Sequence, residues 1–190
     1  MPLSFKSNDS GRIAPMVEVL PELFKRACPD TWQLSGEGVF SWSVFKLYRA
    51  RLLTHTGAFN PAKPFLLDLH YLRTLKAEQI VSTSIDEIAR LNMVTEAQRR
   101  EWTQALTEII PDVCLGDRLL GWFMPGMRVE FFSASEVLGI VQDADFVRMF
   151  SAIWLDEHTR SPQLRQALLG HAQVLPTAAS RLSPSQEASA

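Results

Sequence analysis

Asp68 and His70 stand two residues apart in the segment Phe65 to Leu72. In an extended chain that spacing puts both side chains on one face. A carboxylate beside an imidazole is a minimal general base. The pair is therefore the candidate for catalysis, set against an ordinary hydrogen-bonded strand face. Arg49 and Arg51 repeat the spacing within Phe45 to Leu53, with Lys46 and Tyr48 on the alternate face. Arginines turned inward clamp a carboxylate or phosphate; turned outward, they are ordinary surface. The other candidates are thin. His55, His70, His158 and His171 show no metal-site spacing, so no metal is expected. Cys28 and Cys114 form neither a disulfide framework nor a cysteine-only metal site. No nucleophile elbow is present. Gly36-Glu37-Gly38 precedes a strand-like run rather than a helix, so it is read as a glycine-flanked hairpin or bulge. No cofactor is implied.

The elements that must position these side chains follow from periodicity. Val39 to Leu53 is rich in β-branched and aromatic residues. In Phe65 to Leu72, the residues Phe65, Leu67, Leu69 and Tyr71 form one strongly apolar face. Two helices come next. Residues 76–92 place Ile80, Ile85, Ile88 and Leu91 along a stripe, and Asn92 is the stop. Thr95 and Gln98 fit a capping box for the second, which turns Trp102, Leu106, Ile109 and Ile110 inward and ends at Pro111. Strands return at 118–124 and 127–133, joined by Pro125-Gly126, with a third at 137–141. Asp143 or Asp145 caps a helix through about Leu155, and Ser161-Pro162 opens the last, closed by Gly170. The expected organisation is a leader and packing segment at 1–30, a domain at 31–172, and a disordered tail at 173–190.

Composition narrows the partners. Nineteen basic and twenty-one acidic residues leave a net charge of −2, which supports neither a nucleic-acid stripe nor a polybasic membrane patch. Hydrophobic residues at 46% fit a soluble globular domain. No apolar stretch is long enough to span a bilayer, and Met1 to Leu20 lacks the pattern of a secretory signal. The chain as written is read as cytoplasmic, or periplasmic if an export signal is missing from it. The oligomeric state stays open.

From Leu34 onward the order of segments resembles the chalcone isomerase-like family in its bacterial branch. The resemblance is carried by GEGVF (36–40), FKLYRARLL (45–53), FLLDLHYLRTLKAEQI (65–80), SIDEIARL (84–91) and PDVCLGDRLLGWFMPG (111–126). It continues through FFS (131–133), LGIV (138–141) and FVRMFSAIWLDEHTRSPQLRQALLG (146–170). It implies an α+β fold: an open-faced β-sandwich, one large curved antiparallel sheet with helices layered against it. It also implies a choice of function, because plant members cyclise chalcones whereas plastid relatives bind fatty acids.

The family's functional residues carry over unevenly. Members that react with or bind acids have an arginine after the Gly-Val of the first strand; here Val39 is followed by Phe40. The tyrosine of the fatty-acid binders' Lys-x-Tyr segment is kept as Tyr48 after Lys46. The isomerases' tyrosine and asparagine on the first paired helix have no counterpart around Ile80, Asp86 or Glu87. Isomerase chemistry would therefore lack both its phenol and its oxyanion-stabilising cation.

The expected function is a non-catalytic domain binding a small apolar ligand such as a fatty acid. Phe40, Phe45, Leu47, Leu67 and Leu69 are expected to line a cleft. Tyr48, Lys46, Arg49, Arg51, His70 or Lys76 would supply its polar end. Tyr48 and Arg49 alternate, so both enter one cleft only through a bulge. The alternatives are an isomerase or lyase using His70 and Asp68, and a ligand-free accessory domain that binds a protein partner.

Overall fold

The computed structural model describes residues 20–28 and 30–171. Six strands run Gln33–Trp42 (β1), Phe45–Thr54 (β2), Phe65–Tyr71 (β3), Arg118–Met124 (β4), Arg128–Phe132 (β5) and Val137–Val141 (β6). They form a single antiparallel sheet in chain order, β1 to β6. Five helices accompany it: Glu22–Ala27 (α1), Ala77–Leu91 (α2), Glu96–Ile109 (α3), Ala144–Leu155 (α4) and Pro162–Leu168 (α5). This is the α+β, helix-layered open sheet that the resemblance implies. The expected leader before residue 20 and the tail from 173 lie outside the described residues.

Alternation along the strands builds two separate hydrophobic clusters. Ala50, Leu52, Leu67, Leu119, Phe123 and Phe131 project to the inner face, where they pack with α2, α3, α4 and α5. Leu53, Leu66, Leu120 and Phe132 project to the outer face and meet Phe24 and Cys28. Phe24 of α1 is fully buried, edge-on to Phe132 at 5.2 Å and to Trp122 at 6.1 Å.

The helices end where their side chains provide for it. Thr95 accepts from the Gln98 amide at 3.2 Å while Gln98 Oε1 accepts from the Thr95 amide at 3.0 Å, closing the capping box. Asp143 accepts from the amides of Asp145 and Phe146 to cap α4. Its other oxygen accepts the Trp102 indole N–H at 2.8 Å, tying α3 to α4.

Two features shape the end of the sheet near the site. A Cβ at Gly36 would stand 2.0 Å from the Ala167 carbonyl oxygen, and one at Gly38 2.8 Å from Leu164. The glycines let α5 lie directly on the backbone of β1. The expected bulge is also present, as a register shift between Leu34 and Gly36. A second shift pairs Phe40 with Tyr48 but Ser41 with Lys46, so that Leu47 is the extra residue.

Candidate functional site

A cavity of about 440 Å³ lies between the inner face and the helices. That is within the range of roughly 300–1,000 Å³ usual for small-molecule sites. Its walls are largely aliphatic and aromatic, among them Phe40, Leu67, Leu69, Phe123 and Phe150. Trp42 and Arg160 stand at its rim.

Polar side chains border this space on one side, with Gln79, Ser84, Asp86 and Glu87 from α2 and Thr159 and Arg160 from the loop after α4, and two phenols stand in its wall. The Tyr48 ring stacks on Phe40 at 5.1 Å and meets the Tyr71 ring edgewise at 5.8 Å. Trp154 donates its indole N–H to the Tyr48 hydroxyl at 3.0 Å. Burial pushes the Tyr48 phenol far above its ordinary range against that bond, and burial does the same to Tyr71. Both phenols therefore keep their protons at neutral pH. Among the described residues neither O–H has an acceptor, so each can donate to a guest. At the rim, Glu87 accepts from Arg90 and pairs with Arg160 at 2.6 Å. Arg160 also lies over the Trp42 ring at 5.7 Å. Glu87 thus holds two guanidiniums, and Asp86, which also borders the cavity, pairs with Arg99.

The structure divides the residues proposed from sequence. Phe40, Tyr48, Leu67 and Leu69 line the cavity, as does Leu47. Lys46, Arg49, Arg51, His70, Lys76 and Phe45 do not. Lys46 leaves the inner face because the Leu47 bulge reverses the alternation beyond it, and it is exposed. The bulge thus admits Leu47 beside Tyr48, while Arg49 pairs opposite His70 on the outer face. Lys76 sits at the start of α2 and bridges to Asp112 at 2.6 Å.

Asp68 and His70 do come together, with Nε2 3.2 Å from the carboxylate, but on the face turned away from the cavity. Asp68 is fully buried and accepts from Arg51 at 2.6 Å and Arg118 at 2.6 Å. Burial raises the Asp68 carboxyl, yet bonds from His70 and Arg118, with the Arg118 charge, hold it well below the usual carboxylate range. A carboxylate so held is a poor proton acceptor near neutral pH. The pair belongs to a buried charge cluster that ties β2, β3 and β4 together.

Arg160, Trp42, Tyr71 and Trp154 also belong to the site, beyond the residues expected from sequence. Tyr71 was visible on the apolar face of β3 and needed only to be read as a hydroxyl. Arg160 lies in the loop between α4 and α5, and no local pattern shows which loop borders the opening. Among the described residues no group of three or more acidic, histidine or cysteine side chains could hold a metal ion. No helix of these residues is long and apolar enough to cross a membrane.

Comparison with known proteins matches residues 26–170 to a family model described as chalcone isomerase-like. An uncharacterized protein of Haemophilus influenzae is 26% identical over 140 residues, spanning 73% of this chain and 68% of that protein. The crystal structure of an Arabidopsis thaliana fatty-acid binding protein is similar with a TM-score of 0.61 at 13% identity. That likeness covers 75% of this chain and 89% of the plant one, and concerns the fold.

Proposed function

Since the chain belongs to the chalcone isomerase-like family, we propose that its cavity binds a small apolar acid of the fatty-acid type. The observation that carries the reading is the apolar chamber with a cation, Arg160, at its rim and two phenolic donors in its wall. Burying an acyl chain gains about 0.8 kcal/mol per methylene. A carboxylate must not be left unpaired on entry. Arg160 supplies the charge that the family's arginine would have supplied at Phe40. Tyr48, with its oxygen already engaged by Trp154, has its proton directed by that bond and available to the guest. The name of the plant neighbour supports the choice of a fatty acid over other apolar acids.

The test is native mass spectrometry of the purified chain, then denaturing extraction and titration with fatty acids. Trp42 and Trp154 line the cavity, so occupancy is expected to change tryptophan emission. A bound acid in stoichiometric amount, or saturable binding of an added one, is the expected result. A chain that arrives empty and ignores added fatty acids would leave the accessory, partner-binding reading in its place.

A further inference from the structure

The β1–β2 turn carries its apolar residues outward. Trp42, Val44 and Phe45 are 52%, 82% and 51% exposed, grouped at a turn in which Ser43 takes φ 55°. Apolar side chains at a two-residue turn are costly to leave in water unless something covers them. Charge says what covers these. From Gly38 to Leu67 the sequence contains no acidic residue, although the whole chain is slightly acidic. Cations surround the tip instead. Lys46 is exposed beside it, the Arg73 guanidinium lies 4.3 Å over the Phe45 ring, and Arg160 faces Trp42. The two acids that border the cavity are occupied, Glu87 by Arg90 and Arg160 and Asp86 by Arg99 at 2.5 Å.

We infer that the β1–β2 turn docks on an anionic lipid bilayer, inserting Val44 and Phe45 at the headgroup boundary with Trp42 beside them. Aromatic side chains favour that boundary, and apolar insertion supported by basic residues is how proteins rest on a membrane without spanning it. Trp42 belongs both to the exposed tip and to the cavity rim. Docking would therefore bring the opening to the lipid surface, where an acyl chain crosses directly between bilayer and cavity. A membrane fits the observations better than an acidic protein, because the apolar residues are at the apex and the charges behind them.

The experiment measures cosedimentation of the full chain with phosphatidylglycerol–phosphatidylcholine vesicles and with phosphatidylcholine vesicles alone. The wild-type chain should bind the anionic vesicles preferentially and lose them as salt is raised. Val44→Glu with Phe45→Glu should lower that binding by about tenfold or more, since two inserting side chains become charged. Neither residue lines the cavity, so fatty-acid titration in free solution should be unchanged in this variant. That readout also shows that the variant folds, and it separates this proposal from the proposed ligand. Lys46→Glu should weaken anionic binding while sparing the weak binding to phosphatidylcholine. A wild-type chain that ignores both vesicles would overturn the inference in favour of a protein partner at the tip. A double variant that sediments like wild type would overturn it as well.

Discussion

Trp154 of α4 and Tyr48 of β2 are 106 positions apart and meet through one hydrogen bond, indole N–H to phenol oxygen at 3.0 Å. The bond fixes a helix to the strand across the cavity. Tyr48→Phe would leave the buried indole N–H without its acceptor, a loss of about 1–3 kcal/mol in urea unfolding. Trp154→Phe removes the other partner. If the bond matters as described, the double variant costs less than the two single changes added together. Strict additivity would mean that the two side chains act independently.

Arg160 is expected to discriminate by head group. Charge-assisted hydrogen bonds contribute about 1.5–3 kcal/mol, so Arg160→Gln should weaken a fatty acid by roughly tenfold to a hundredfold. The matching fatty alcohol should bind the variant and the wild type alike. Glu87 keeps Arg90 as a partner in this variant, which argues against general unfolding. Equal losses for acid and alcohol would show that Arg160 only shapes the rim.

The cluster around Asp68 predicts an acid-sensitive fold. A carboxyl whose folded pKa is depressed stabilises the protein above its unfolded value, about 3.9 for aspartate, and loses that contribution as pH falls towards the folded value. Between these two values the unfolded chain holds more protons than the folded one, so stability rises with pH there. Asp68→Asn should cost on the order of 3–5 kcal/mol at pH 7, because the buried Arg51 and half-buried Arg118 lose their shared anion. The gap from wild type should narrow steadily below about pH 4. Denaturant midpoints measured at several pH values check the slope; a gap independent of pH would dissociate Asp68 from acid unfolding.

Gly36→Ala offers a fourth check. Its Cβ would meet backbone at 2.0 Å, which no rotamer can relieve, so α5 must move off β1. A melting measurement should find a loss of on the order of 1–3 kcal/mol. Because Ser161 and Leu164 line the cavity, ligand affinity should fall with it. An unaltered melt would mean that α5 yields without cost.

Alternation in Phe65 to Tyr71 placed Leu67 and Leu69 on the cavity side and joined Asp68 to His70, as the pleat alone implies. Thr95 with Gln98, Asn92 and Pro111 marked their helix ends because capping and proline effects act within a few residues. The polar end of the site was harder to read. Lys46 followed from strict alternation, and one inserted residue, Leu47, undid it. Arg51 looked equally suited to a guest's carboxylate, yet its partner is Asp68, directly across the ladder. Arg160 is drawn to the opening only by α4 and α5 packing on the sheet, a long-range event that no short window contains.

The contact of α5 with Gly36 and Gly38 joins the last described helix to the first strand. Each strand pairs with its neighbour in sequence, so every ladder of the sheet is encoded before α4 and α5. The chamber stays open on the β1 side until Pro162–Leu168 has been made and has returned to the two glycines. A newly made chain thus holds a finished sheet before it holds a finished pocket. A chain interrupted before Pro162 would carry a paired but unsealed domain.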